Sequence, residues 1–139
     1  MIEFDVIGKI QPKQRPRFMR RGSFIQTYTP LPTINYQKLV AKSYTDKYGD
    51  MKLQDAVSVT ITAFFNVPKS YSKKKKAELI GKPNTLHNGD IDNVAKSILD
   101  GLNGVAWDDD TIVYDLHISK FYSTDDVERV EVKICQNTQ

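Results

Sequence analysis

Two aspartates, Asp90 and Asp92, precede a run of residues with helical periodicity, and Lys96 follows Asp92 by four positions. In an extended stretch, residues two apart point to the same side, so the two carboxylates are predicted to face one way. Asp92 also occupies the position of a helix N-cap, and Lys96 lies one turn later on the same helix face. The spacing predicts a pair of carboxylates with a basic side chain beside them.

A second acidic group, Asp108 to Asp110, follows Trp107 after a short link. The link can return these residues to the start of the predicted helix or to its far end, and the sequence leaves both open. Convergent carboxylates repel each other unless a cation holds them, and oxygen ligands favour Mg²⁺ or Mn²⁺ over zinc. Such a metal can polarise a phosphoryl oxygen and activate a bound water, so phosphodiester cleavage is one reaction that a site of this kind can catalyse.

A structural role for the same residues stays open. Asp92 can be a helix cap that forms an exposed pair with Lys96, worth about 0.2–0.5 kcal/mol. Residues 108–110 can be a polar turn with Trp107 packed beneath it. An Asp-x-Asp pair also occurs in enzymes that transfer phosphate or sugar groups to small substrates, although the chain lacks a glycine-rich phosphate loop.

Positive charge is concentrated in the first third of the chain. Residues 6–45 contain no Asp or Glu, residues 1–45 carry a net charge of +6, and the remainder carries −3. This division indicates polyanion binding in the first part and cation binding in the second. Solvated surface is the alternative. The basic residues that would contact a polyanion such as DNA are Lys13, Arg15, Arg17, Arg20 and Arg21, with Lys73, Lys74, Lys75 and Lys76 as a second group.

Three aromatic or imidazole side chains lie near these groups in the sequence. Phe18 and Phe24 can stack on unpaired bases, but packing in the core or in a loop is the favoured prediction. His87 lies close to Asp90 and can assist phosphate binding.

The composition indicates one domain. The chain has 139 residues, of which 40% are hydrophobic, and no apolar run is long enough to cross a bilayer. The first residues lack the pattern of a signal peptide, and the single cysteine, Cys135, cannot form an internal disulfide. We therefore expect a reduced, cytoplasmic protein without membrane contact.

Hydrophobic periodicity predicts the elements that position the acidic residues. Pro12 and Pro16 predict a loop over residues 11–23. A turn at residues 123–126 joins the last two strands. The predicted strands are 2–6, 24–28, 57–65, 112–122 and 127–134, and the predicted helices are 29–48, a short one through 77–80, and 92–102. The expected fold is mixed α/β, a single domain over 1–139 with a mixed sheet of about four or five strands and helices packed on it.

At the acidic residues the sequence resembles the RusA family of Holliday-junction resolvases, which are common in prophages. The matching pattern is Asp-x-Asp-Asn at 90–93, Lys96, Asp-Gly-Leu at 100–102, Trp107, and Asp109-Asp110 before a strand. An early Pro-x-x-x-Arg-Pro-Arg segment at 12–17 and Tyr-Thr-Pro at 28–30 also resemble phage-type members. The sequence departs from relatives at His87-Asn88-Gly89, at Asp108 and at Ile112.

The resemblance implies a homodimeric endonuclease that binds four-way DNA junctions, requires Mg²⁺ (Mn²⁺ substituting) and nicks two opposed strands to leave 5′-phosphate ends. It implies that Asp90, Asp92 and Asp110 are metal ligands, with Asp109 a less certain ligand, and that Lys96 is the catalytic basic residue. The setting would be a bacterial or phage-infected cell, and the processes DNA recombination and repair. A non-catalytic DNA-binding module with a degenerate metal site is the main alternative.

Overall fold

The computed structural model describes residues 1–86 and 89–137, so the predicted role of His87 lies outside the described residues. A 3₁₀ turn, Asp110–Ile112, precedes the fifth strand. No helix in the described ranges is long and apolar enough to cross a membrane. The elements in chain order are β1 Ile2–Ile7, β2 Arg17–Arg21, β3 Phe24–Tyr28, α1 Leu31–Tyr48, β4 Val57–Phe65, α2 Lys73–Leu79, α3 Ile91–Leu102, β5 Val113–Tyr122 and β6 Arg129–Gln136.

A four-stranded mixed sheet forms the centre of the fold, in the order β1-β6-β4-β5. β4 runs parallel to β5 and antiparallel to β6, and β1 is antiparallel to β6. Every second residue of β4 is buried, because alternate side chains of a strand face the same layer. These buried residues are Val57, Val59, Ile61, Ala63 and Phe65. The predicted mixed sheet of an α/β domain is confirmed.

Helices α1 and α3 pack against each other, α1 also contacts β1, and α3 also contacts β5. They lie close together at Gly101, where an added Cβ would lie 2.8 Å from Cβ of Val40. Val94, Ala95 and Ile98 place the apolar side of α3 in the core. The acidic residues of α3 therefore belong to a helix held firmly by its opposite face.

The turn at residues 123–126 joins β5 to β6, but the two strands are not neighbours, because β4 lies between them. A parallel pair such as β4 and β5 cannot be joined by a tight turn and needs a longer crossover. The segment between these two strands supplies that crossover, and it contains α3 and the acidic turn. The topology thus makes the candidate site residues part of the connection that closes the sheet.

Two predictions for residues 11–48 are wrong. The loop predicted for residues 11–23 contains β2, which pairs with β3 in a separate two-stranded sheet. Pro12 and Pro16 both precede β2, so neither removes a hydrogen bond from it. Helix α1 begins at Leu31 with Pro30, not Thr29, at its N-cap, and no side chain caps it.

Candidate metal and DNA site

Asp90 is the N-cap residue of α3, with an extended backbone at φ −73° and ψ 146°. Its carbonyl oxygen accepts hydrogen bonds from the backbone N–H groups of Asn93 and Val94, each at 3.1 Å. An N-cap aspartate usually accepts a further bond through its carboxylate from the second or third N–H of the helix. The Asp90 carboxylate makes no such bond, so this exposed group stands at a helix start without capping it.

Asp92 is not the N-cap residue, contrary to the prediction, but lies in the first turn of α3. Negative charge is favourable there because the helix dipole presents its positive end. Asp92 and Lys96 are both exposed, and no salt bridge of the described residues joins them or engages either one. The structural alternative in which the two simply pair on the helix surface is therefore absent from this structure.

The link after α3 is fixed by several contacts before it reaches the acidic turn. Trp107 is fully buried, and its Nε1 donates a 2.7 Å hydrogen bond to Oδ1 of Asn103. The N–H of Leu53 donates to the carbonyl oxygen of Ala106 at 2.7 Å, just before β4. Trp107 is thus a buried packing residue just before the acidic turn. The link is anchored at Asn103, the C-cap of α3, and at Leu53.

Asp108 differs from its two neighbours in the acidic turn. Its Oδ1 lies 2.9 Å from Nζ of Lys52, so its charge is already paired. Asp109 caps the 3₁₀ turn without a side-chain hydrogen bond, and the half-buried Asp110 begins that turn, which contacts α3. No salt bridge of the described residues engages Asp109 or Asp110. Of the three aspartates in the turn, Asp108 is thus the one that forms a salt bridge among the described residues.

The free carboxylates supply the hard oxygen donors that Mg²⁺ prefers, so the donor chemistry fits a divalent ion. Asp90 and Asp92 stand two residues apart at one helix end. However, among residues 1–86 and 89–137 no three acidic, histidine or cysteine side chains are grouped closely enough to hold a metal ion. The residues present provide two carboxylates at the start of α3 and further carboxylates in the turn before β5, and the third ligand stays a prediction.

The segment at residues 11–14 lies directly against α3. The N–H of Lys13 donates to the carbonyl oxygen of Asn93 at 2.9 Å, and Oγ of Ser97 donates to the carbonyl oxygen of Gln11 at 2.7 Å. Pro12 covers Gly89, where an added Cβ would lie 2.1 Å from Cγ of Pro12. The backbone just before Asp90 therefore lies in close contact with the basic N-terminal region.

The sequence of this chain is similar to those of known proteins. The family model described as endodeoxyribonuclease RusA matches residues 8–135. The chain belongs to the RusA family. It is also 33% identical to the uncharacterized protein YqaN of Bacillus subtilis (strain 168) over 138 residues, which cover 96% of this chain and 94% of that protein. The family is one of endodeoxyribonucleases that act on Holliday junctions, which confirms the resemblance seen in the sequence.

In this RusA-family chain, the basic residues predicted to contact DNA differ in whether an acidic side chain already pairs with them. Lys13 is paired, because its Nζ lies 2.6 Å from Oδ2 of Asp100. The four arginines are exposed, and no salt bridge of the described chain engages them. They are Arg15, just before β2, and Arg17, Arg20 and Arg21 within it.

The four lysines of the second group, Lys73 to Lys76, form most of the short helix α2. Ser72 caps this helix by accepting a hydrogen bond from the N–H of Lys75 at 3.2 Å. Nζ of Lys75 lies 4.1 Å from the centre of the Tyr71 ring, a cation–π contact. α2 buries no residue, so its lysines lie on the surface as the sequence indicated.

Phe18 and Phe24 are 73% and 75% exposed, so the prediction that they pack in the core or in a loop is wrong. Both lie on the two-stranded sheet, which the sequence analysis had interpreted in part as loop. Because β2 was not predicted as a strand, nothing in the sequence indicated that these two aromatic side chains would be exposed and not buried in the core.

Lys120 is a site residue that the sequence analysis missed. Its Nζ donates a 3.0 Å hydrogen bond to the carbonyl oxygen of Gly89, immediately before Asp90. It borders a cleft of about 500 Å³ that is also lined by Asn84 and Asp90. Lys120 lies in β5, far from Asp90 in sequence. Its local sequence pattern is that of an ordinary surface lysine, so only the fold reveals that it lies beside the site.

Proposed function

We propose that this chain is a Mg²⁺-dependent, structure-selective endonuclease that resolves Holliday junctions by paired nicks in opposed strands. The observation that carries the proposal is the uncapped carboxylate of Asp90 at the start of α3 in a RusA-family chain. A carboxylate placed at a helix start without capping it is free to bind a ligand. Asp92 and Lys96 lie on the same exposed part of the helix.

We assign the metal ligands to Asp90 and Asp92, with Asp110 as the third and Asp109 as its substitute. All four carboxylates lie outside the salt bridges of the described residues. When bound, Mg²⁺ supplies charge stabilisation at a phosphoryl oxygen and a more acidic water. The buried opposite face of α3 holds the backbone that carries Asp90 and Asp92 in place, which limits the reorganisation needed on binding.

Lys96 is assigned as the catalytic basic residue. It lies one helical turn after Asp92, is exposed, and has no carboxylate partner among the described residues. An unpaired ammonium beside a carboxylate pair is suited to stabilise negative charge that develops on the phosphate during cleavage. The same group would keep the scissile phosphate close to Asp90 and Asp92.

A homodimer is the assembly proposed for this activity. A four-way junction has two-fold symmetry, and resolution needs one nick in each of two opposed strands. A dimer with the same symmetry presents two equivalent sites to those strands. The products would be two nicked duplexes with 5′-phosphate ends, as in DNA recombination and repair.

The direct test is incubation of the purified protein with a four-way junction labelled on each strand in turn, with and without Mg²⁺. We expect paired cuts on opposite strands that depend on the metal and disappear in Asp90→Asn. Asp108→Asn is the matched control, since Asp108 is already bound to Lys52. Absence of Mg²⁺-dependent cutting by the wild-type protein on every strand would overturn the proposed activity.

A non-catalytic DNA-binding module is the second candidate, and one observation favours it. No three metal-ligating side chains are grouped within the part of the chain that the structure describes. Such a module would bind the junction without nicking it at any Mg²⁺ or Mn²⁺ concentration. Calorimetric titration with Mn²⁺ separates the two, because a degenerate site would give the same heat in the wild-type protein and in Asp90→Asn.

A further inference from the structure

The two-stranded sheet of β2 and β3 has an unusual surface. We call residues 17–28 the basic ribbon. All ten residues of its two strands are exposed, and the strands pair only with each other. Phe18, Phe24 and Ile25 are 73%, 75% and 72% exposed. An isolated two-stranded hairpin is marginally stable in water, so this apolar surface is expected to be covered by a partner.

The pairing register places arginine and apolar side chains together on both faces of the basic ribbon. Residues directly opposite each other share a face, and alternate residues share it along each strand. One face therefore carries Arg17, Arg21 and Phe24, with Met19 and Tyr28. The other carries Phe18, Arg20 and Ile25. Arginine interleaved with aromatic side chains is the composition of surfaces that bind phosphates and stack on bases.

The segment just before the basic ribbon is fixed to α1 and to α3, the helix that carries the candidate site. The N–H of Gln14 donates to Oγ1 of Thr33 at 3.1 Å, and Lys13 bonds both Asn93 and Asp100. Asn93 directly follows Asp92. The ribbon thus extends from a platform that also holds Asp90 and Asp92, so a nucleic acid bound to the ribbon would have a set position relative to α3.

We propose that the basic ribbon is the branch-recognition element, which enters the open centre of a DNA junction. Phe18 and Phe24 contact unstacked bases there, and Arg17, Arg20 and Arg21 bind the flanking phosphates. This rests on the proposed function only for its substrate, branched DNA. A uniform duplex presents phosphates but few open base faces, so it would engage the arginines and leave the aromatic side chains in water.

Charge opposes the pairing of two basic ribbons with each other. Residues 6–45 contain no acidic residue, so two ribbons meeting on a two-fold axis would bring arginines against arginines. Like charges placed opposite each other across paired strands are destabilising. A polyanion with flat apolar faces complements both the charge and the aromatic groups of the ribbon.

The test compares the wild-type protein with the double variant Phe18→Ala/Phe24→Ala, without metal, on a four-way junction and on a linear duplex of equal length. We expect junction affinity to fall about tenfold or more, and duplex affinity to change less than about twofold. On a junction with 2-aminopurine at the branch point, the wild-type protein should change the fluorescence, and the double variant should not. Met51→Ala is the control, an exposed apolar residue outside the ribbon.

Two further variants distinguish stacking from apolar burial and from dimer formation. Phe18→Trp/Phe24→Trp should retain junction preference, whereas Phe18→Leu/Phe24→Leu should lose it, because leucine covers area without an aromatic face. Unchanged junction preference in the alanine variant would overturn the proposal. So would its conversion from dimer to monomer in sedimentation, which would assign the ribbon to a second copy. Wild-type cleavage is scored separately, so junction binding through the ribbon without cleavage would overturn only the nuclease assignment.

Discussion

Nζ of Lys13 lies 2.6 Å from Oδ2 of Asp100, although the two residues are 87 positions apart in the chain. Both side chains are more than two-thirds buried, at 29% and 26% exposure. The backbone N–H of the same lysine also bonds the carbonyl oxygen of Asn93. Lys13 thus connects the segment before β2 to two turns of α3, and its positive charge is paired with Asp100 within the protein.

This pairing leads to a prediction about the salt dependence of DNA binding. Replacement of Arg17, Arg20 and Arg21 by alanine should flatten the plot of log affinity against log salt by about 0.9 for each phosphate that is no longer neutralised. Lys13→Ala should leave the slope nearly unchanged, because Asp100 already neutralises that ammonium. The measurement is fluorescence anisotropy with a labelled duplex across a range of salt concentrations. Equal slopes for the wild-type protein and the triple variant would contradict the assignment of the ribbon arginines.

The ligand assignments predict a separation of binding from cleavage. Asp90→Asn, Asp92→Asn and Asp110→Asn should each abolish cleavage while leaving junction affinity largely intact, because a neutral amide binds Mg²⁺ poorly but does not repel DNA. Cleavage of a labelled junction and gel-shift affinity are measured on the same preparations. Asp108→Asn should cleave like the wild-type protein. Full cleavage in any of the first three variants removes that residue from the ligand set.

Lys96→Ala should slow the chemical step more than it weakens binding. A single well-placed charge that stabilises a transition state is worth about 10²–10³ in rate. The check is the single-turnover rate at saturating protein, with Lys38→Ala as a control on the exposed side of α1. A rate within experimental error of the wild-type value would show that Lys96 does not take part.

The close approach of α1 to α3 predicts an unusual stability change. Replacing a helical glycine by alanine generally stabilises a helix by about 0.5–1 kcal/mol. At Gly101 the new Cβ would lie 2.8 Å from Cβ and 2.9 Å from Cγ1 of Val40, so we expect a net destabilisation of about 1–3 kcal/mol from overpacking. Urea unfolding measures it. In a cycle with Val40→Ala, the destabilisation should be less than additive, since the Cγ1 of Val40 is then absent.

Local patterns predicted most of the fold. Alternation identified β1 and β4, and the 3.6-residue period identified α3, because in these elements one face is buried and the other is not. β2 was missed because the preceding Pro12 and Pro16 indicated a loop, and because both faces of the strand are exposed, so that no burial pattern opposed that interpretation. The placement of β4 between β5 and β6 was also missed, since strand order depends on contacts between distant segments.

The candidate site divides in the same way. Asp90, Asp92 and Lys96 were found by spacing along one helix, and their position at its start needed no tertiary information. The pairing of Lys13 with Asp100 and the bond from Lys120 to Gly89 join residues far apart in the chain, and no local pattern marks them. The sequence therefore identified which carboxylates are candidate metal ligands, and the structure identified which charged side chains are already paired within the protein.

The exposure of the basic ribbon has a consequence for how substrate is sensed. A hairpin with no buried residue contributes little to global folding, so its amide protons should exchange with solvent at low local opening free energy, well before those of β4. A junction that covers both faces would slow that exchange, and the bonds from Lys13 to α3 would carry the gained order to Asp90 and Asp92. Discrimination among DNA shapes would then reside partly in the entropy of ordering a hairpin, and an unbranched duplex would leave that ordering incomplete.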